Sequence, residues 1–196
     1  MTDSSTPTIP ALRGPVPLSH LLLGSFVRDG HSAVDATCGN GHDTLLLARL
    51  VGVRGHVWGF DIQRQAVEET GRRLAEAGLS SRVTLLPVGH EGLAEHVAVP
   101  LQAVLFNLGY LPGGDRSVIT RPDTTFYALE QSLTLLAAGG VVIVTVYPGH
   151  DGGSEEQAAV EQWAAGLDPR AFHCWRMGQT NATPAAPYLI LVQKGL

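Results

Sequence analysis

The segment Asp35-Ala36-Thr37-Cys38-Gly39-Asn40-Gly41-His42-Asp43-Thr44 carries the densest potential for chemistry in this sequence. Gly39 and Gly41 let a backbone turn tightly and approach a ligand, and a helix opening behind them presents unpaired N–H groups. Asp35 and Asp43 frame the pair with carboxylates, which argues against a bland βα turn. A dinucleotide fingerprint needs a third glycine where Thr44 stands, so the G-x-G-x-x-G pattern fails at its last position. Asp61 lies 22 residues beyond Gly39, about the spacing from which an acidic side chain reaches a ribose diol, and Gln63 follows at a helix start. These residues predict a cofactor with a ribose and no pyrophosphate. S-adenosylmethionine fits: Asp35 would stand near its cationic methionine end, with Asn40 and Asp43 as further contacts.

A second constellation is Phe106-Asn107-Leu108-Gly109-Tyr110-Leu111-Pro112-Gly113-Gly114-Asp115. Asn107 offers a carbonyl oxygen and Tyr110 a flat ring, the pair needed to hold an amino group while stacking on its base. The alternative is a turn-forming Asn and a half-buried packing Tyr. His150, in Tyr147-Pro148-Gly149-His150, can bring an imidazole to the same rim as a proton acceptor, although it is one of eight His residues. His90, before Glu91, falls where an adenine ring would lie. No H-x-x-x-H or H-E-x-x-H spacing supports a metal site, and Cys38 is expected to be a small packing residue rather than a nucleophile. Neither G-x-S-x-G nor a Walker A motif occurs, which removes the simple hydrolase and nucleotide-phosphatase readings.

The elements that must position these residues follow from hydrophobic periodicity. Predicted strands are Ala33–Ala36, His56–Asp61, Val83–Leu86, Ala103–Asn107, Val141–Tyr147, Ala171–Met177 and Tyr188–Gln193. Predicted helices are Leu18–Val27, Asp43–Val51, Arg64–Ala77, Glu91–Ala98, Thr124–Ala137 and Glu155–Ala165. Seven strands alternating with helices specify a doubly wound, mostly parallel α/β sheet of the Rossmann-like kind, and the helix-free link Gly178–Pro187 predicts a C-terminal antiparallel hairpin. The 196 residues make one domain, expected over residues 18–196, behind a Ser/Thr/Pro-rich flexible leader, residues 1–17. With 44% hydrophobic and 16% charged residues, the chain has the balance of a filled core. A net charge of −5 argues against a broad basic surface for nucleic acid. Twelve of the thirteen basic residues are Arg, which we attribute to codon bias. No apolar run approaches the ~20 residues of a membrane span, and two cysteines without paired spacing suit a reducing cytoplasm.

Taken in order, the glycine-loop segment, Gly59-Phe60-Asp61-Ile62-Gln63, His90-Glu91, the Asn107 segment, Thr124-Thr125 and Tyr147-Pro148-Gly149-His150 resemble a small bacterial family long labelled rRNA methylases. The resemblance runs from about Leu18 to Lys194. It implies a class I methyltransferase, and the better-studied members look like tRNA 5-aminomethyl-2-thiouridine methyltransferases. The implied reaction is N-methylation of the aminomethyl group of the wobble uridine in a tRNA anticodon stem-loop. Asn107 would orient the amine, Tyr110 would stack on the uridine and His150 would accept the proton. A flipped base needs fewer phosphate contacts than a duplex, which softens the objection from the negative charge. Two other readings stay open: a methyltransferase for another RNA or a small molecule, and a non-catalytic module that binds the cofactor. No membrane partner is expected, and a homodimer is left open.

Overall fold

Side chains along the strand Leu101–Asn107 divide between two cores. Val104 and Phe106 pack with Leu93, Ala128, Leu129 and Trp163, whereas Ala103 and Leu105 pack with Leu23, Leu47, Ala48 and Leu74. Both sets are buried, so a sheet with period-2 side chains is covered by helices on both faces. Each fully buried Leu or Phe contributes about 1.5–3 kcal/mol relative to exposure.

The computed structural model describes residues 11–115, 117–149 and 152–196. In chain order the elements are α1 (Pro15–Phe26), β1 (Ser32–Asp35), α2 (His42–Leu50), β2 (His56–Phe60), α3 (Arg64–Glu76), β3 (Val83–Leu86), α4 (Leu93–His96), β4 (Leu101–Asn107), α5 (Pro122–Leu135), β5 (Leu136–Val146), α6 (Gly153–Ala165), β6 (Phe172–Met177) and β7 (Tyr188–Lys194). The sheet order is β3-β2-β1-β4-β5-β7-β6. Strands β1 to β5 are parallel, and β7 runs antiparallel to both β5 and β6. The expected hairpin is therefore present, with β7 inserted beside β5 and β6 at the edge.

Several boundaries shift by one to five residues, α5 for instance running Pro122–Leu135 rather than 124–137, and two of the shifts have a plain physical reason. Helix α1 opens at Pro15 rather than Leu18, because a first-turn proline lacks only an N–H that would have no helical partner. The first ten residues of the expected leader lie outside the described residues. Strand β5 runs back through Gly139-Gly140, which the sequence reads as a boundary, to pair Leu136 with Leu101 across an irregular register. A Cβ on Gly140 would stand 2.8 Å from the Leu101 carbonyl oxygen, so this glycine permits close backbone approach inside a strand instead of ending it.

Strand order reverses between β1 and β4. Their carboxyl ends lie side by side, with Asp35 registered on Leu105 and Asn107 two residues further on. That is the crevice where ligands bind in open α/β sheets.

Candidate active site

The loop between β1 and α2 is held by hydrogen bonds that only glycine geometry allows. Gly41 has φ +79° and caps α2, and a Cβ there would stand 2.7 Å from Thr70 Oγ1 and 2.9 Å from Thr70 Cα. The Gly39 N–H donates to Asp61 Oδ2 at 3.0 Å, and the Thr70 hydroxyl donates to the Gly39 carbonyl at 2.9 Å. Asp61 Oδ1 accepts the Gln63 N–H at 2.9 Å. Burial pushes the Asp61 carboxyl up, with the Gln63 and Gly39 amides pulling it down. Asn40 Nδ2 donates to the Pro112 carbonyl at 3.1 Å, tying this loop to the one after β4.

Two cavities meet at that junction. The larger, about 800 Å³, is walled by His20, Asn40, His42, Asp43, Tyr147 and Pro187 among others. The smaller, about 320 Å³, is walled by Asp61, Gln63, His90, Glu91, Thr120 and Arg121 among others. Thr37, Gly39, Asn107, Gly109, Tyr110 and Pro112 line both. The structure thus brings together Gly39, Asn40, Asp43, Asp61, Gln63, His90, Asn107 and Tyr110. It does not place Asp35 on either wall.

Asp35 is fully buried beneath the loop, where Oδ2 accepts the Thr44 hydroxyl at 2.6 Å and Oδ1 accepts the Thr37 N–H at 3.3 Å. The expectation of direct contact with a methionine end is corrected: the last strand residue turns under the glycine loop and orders it from behind. Burial, and then the neighbouring Asp43 charge, push its carboxyl up to about 7. His150 lies outside the described residues.

Asn107 is fixed at both its amides. Its backbone N–H donates to Thr37 Oγ1 at 2.8 Å, and Nδ2 donates to Asp43 Oδ2 at 2.7 Å. A carboxylate only accepts, so the atom facing Asp43 must be the NH₂, and the amide oxygen is turned the other way. That buried oxygen has no hydrogen-bond partner among the described residues. His90 shows the same pattern. Its Nδ1 is 3.1 Å from the Ala36 carbonyl oxygen and so carries the proton, which leaves Nε2 a buried lone pair without a partner among the described residues. Burial lowers the pKa of this ring, which keeps it neutral. Buried polar atoms are usually satisfied, so two orphaned acceptors on one crevice mark where a ligand would donate.

Sequence reasoning missed three residues. His20, a lone His in the apolar α1, has Nε2 2.5 Å from Asp43 Oδ1 and lines the larger cavity. Tyr147 lines it too, with burial and the Asp43 charge pushing its phenol up. Glu156, read as part of a helix start, is only 2% exposed; its two oxygens accept the hydroxyls of Thr120 (2.6 Å) and Thr125 (2.7 Å). Thr120 Oγ1 also accepts the Gly109 N–H at 2.8 Å, so Glu156 anchors the segment that carries Tyr110. The one sequence signal for this cluster was the Thr124-Thr125 pair.

A sheet of order 3-2-1-4-5-7-6 with an antiparallel seventh strand, a glycine loop after β1 and an acidic residue at the end of β2 define a class I methyltransferase. The family model described as "Putative rRNA methylase" matches residues 57–193, and the chain belongs to that family. A curated relative, the chloroplastic tRNA (mnm(5)s(2)U34)-methyltransferase of Arabidopsis thaliana, is 37% identical over 187 residues, covering 90% of this chain and 68% of its own length. The solved structure of a "putative rRNA-methylase" from Clostridium thermocellum has a TM-score of 0.91 at 42% identity, covering 94% of this chain and 99% of that one. A Streptococcus mutans methyltransferase fold solved in complex with SAH, the demethylated cofactor, has a TM-score of 0.85 at 34% identity, with 94% and 99% covered.

The enzyme is an S-adenosylmethionine-dependent methyltransferase. The residues present fit that cofactor: the orphaned His90 Nε2 can accept from an amino group, Asp61 is a carboxylate on the smaller cavity, and Asp43 puts negative charge beside a crevice suited to a cationic ligand. Among the described residues no helix is long and apolar enough to cross a membrane, and no cluster of three or more His, Cys, Asp or Glu could hold a metal ion.

Proposed function

We propose that this enzyme N-methylates the 5-aminomethyl group of wobble 2-thiouridine in tRNA, giving 5-methylaminomethyl-2-thiouridine. The observation that carries the reading is the orphaned Asn107 amide oxygen, at the rim shared by both cavities, beside Tyr110. An amine nucleophile needs an acceptor that orients its N–H without competing for its lone pair, and an amide oxygen does that. The named activity of the Arabidopsis relative supports this choice of substrate.

The bound cofactor supplies a methyl group on a cationic, electrophilic sulfur. Asp61, Gln63 and His90 hold its adenosine end, and the Gly39–Gly41 loop with Asn40 and Asp43 holds its methionine end. Asp35 stiffens the loop from behind through Thr37 and Thr44. Asn107 directs the acceptor nitrogen, and Tyr110, 38% exposed, offers a ring face to an unstacked uridine in an anticodon loop. With both reactants held, positioning and desolvation set most of the rate.

The test is mass spectrometry of tRNA nucleosides from a deletion strain, paired with single-turnover methylation of an anticodon stem-loop bearing the aminomethyl uridine. Loss of the methylated nucleoside, and slow turnover with intact SAH affinity in Asn107→Ala and Tyr110→Ala, are expected. An unchanged nucleoside profile would overturn the reading in favour of another RNA or a small molecule.

A further inference from the structure

The wobble-uridine reading, on which this inference rests, leaves a proton unassigned. An alkylamine is an ammonium near neutral pH, with an ordinary pKa of about 10, and an ammonium has no lone pair to attack with. Asn107 Oδ1 can accept a hydrogen bond but cannot keep a proton. We propose that His20, oriented by Asp43, takes that proton.

One carboxylate sets both acceptors. Asp43 Oδ2 takes the Asn107 Nδ2–H at 2.7 Å, and Oδ1 lies 2.5 Å from His20 Nε2. Because an ionised carboxylate donates nothing, Nε2 must carry the ring proton, and the neutral ring keeps its lone pair on Nδ1. His20, Asp43 and Asn107 all line the larger cavity, and the His20 side chain remains 35% exposed. Among the described residues the other titratable groups on that wall are Cys38, whose thiol burial pushes up and so keeps neutral, His42, Tyr110 and Tyr147, with Asp35 buried behind the loop. Tyr147 is held in its neutral, proton-donating form by burial and by the Asp43 charge. His42, the exposed first residue of α2, has no carboxylate hydrogen-bonded to it among the described residues.

The step balances. One N–H bond of the ammonium breaks as a bond to His20 Nδ1 forms. The positive charge passes to the imidazolium, whose Nε2–H faces the Asp43 carboxylate. The electron pair freed on the amine is the nucleophile, and the exposed ring returns the proton to water. Asp43 is a positioning residue here, fixing the tautomer of one partner and the amide orientation of the other.

His20→Gln separates this role from a mere clasp between α1 and α2, because a Gln amide can still donate to Asp43 while it cannot serve as a base. In single-turnover methylation of the aminomethyl-uridine stem-loop, His20→Gln should be about 100-fold slower than wild type near neutral pH. Its rate should then climb roughly tenfold per pH unit as the amine deprotonates unaided. SAH affinity should be unchanged, and added imidazole should restore part of the His20→Ala rate. A wild-type rate and profile in His20→Gln, or a loss equal at every pH, overturns the proposal. If the wild-type enzyme leaves the stem-loop unmethylated, the wobble-uridine reading fails instead. The His20 assignment is then decided on the free enzyme by ¹⁵N NMR: a protonated Nε2 with a bare Nδ1 supports it, and the opposite tautomer overturns it.

Discussion

Replacing Asp35 with Asn should make the protein more stable as pH rises, relative to wild type, and at the same time a poorer binder of its cofactor. Asp35 is fully buried with no basic side chain hydrogen-bonded to it among the described residues, and its carboxyl is pushed from 3.8 to about 7, chiefly by burial and then by Asp43. Between those values the folded state binds a proton that the unfolded state has lost, so the Asp35 contribution to the unfolding free energy of wild type falls as pH rises from about 4 to about 7 and is level above. The size of that fall is on the order of 4 kcal/mol. Asn at this position can satisfy both present partners, accepting the Thr37 N–H and donating to the Thr44 hydroxyl, whose proton is free to rotate. The variant should lack the fall. Urea unfolding of both proteins at matched pH gives a difference curve that widens in favour of the variant up to about pH 7 and then flattens. Parallel curves across that range would refute the reasoning, because they would mean that Asp35 ionises in the folded protein at its ordinary pKa. The functional cost should appear in calorimetry: the ionised carboxylate lends negative potential to the loop, so the variant should lose more affinity for the sulfonium cofactor than for its demethylated form, one positive charge poorer. A stabilised protein with weaker function is the usual trade at a strained site.

Gly41→Ala should destabilise the fold by about 2–5 kcal/mol, from left-handed backbone strain and the clash with Thr70, and should abolish measurable SAH binding. Thermal unfolding and calorimetry check both. Asp61→Ala removes the acceptor for two backbone amides and should weaken SAH binding by roughly 1.5–3 kcal/mol; an unchanged affinity would remove Asp61 from the site. Because its carboxyl is pushed up by burial, wild-type affinity should also decline as pH is lowered through that raised pKa, and the variant should not show this decline. Glu156→Ala removes the acceptor for the buried Thr125 hydroxyl and the half-buried Thr120 hydroxyl and should slow stem-loop methylation while sparing SAH affinity, whereas Glu156→Gln, which can accept from one hydroxyl and donate to the other, should be mild.

How far the site could be read from the sequence depended on how local its causes are. The glycine loop was legible because Gly39 and Gly41 answer to backbone conformation within four residues, and the central strands were legible because they run almost continuously apolar, as a sheet buried on both faces requires. Asn107 was legible as a residue at a strand end but ambiguous in role, since a turn-forming Asn has the same neighbours in the chain. Its assignment rests on Asp43, 64 residues away, which decides where its amide oxygen points. Asp35 went the other way. A carboxylate beside a glycine loop reads as a ligand contact, but its direction is set by Thr44, which lies in the first turn of the following helix and draws the side chain beneath the loop.

His20 and Glu156 mark where the sequence falls silent. Each occupies a helix whose periodicity explains it without chemistry, and each acquires its role only when that helix is laid against a segment distant in sequence: 23 residues for His20 with Asp43, 36 and 31 for Glu156 with Thr120 and Thr125. Hydrophobic burial chooses how the helices lie, and it is indifferent to which polar atoms then meet at their ends. The motif residues are therefore those whose backbone had to be special, whereas the residues that orient them are ordinary types in ordinary helices. A site of this kind is half written in the glycines and strand ends. The other half is written in helix packing, where Asp43 can couple His20 to Asn107 with no pattern in the chain to announce it.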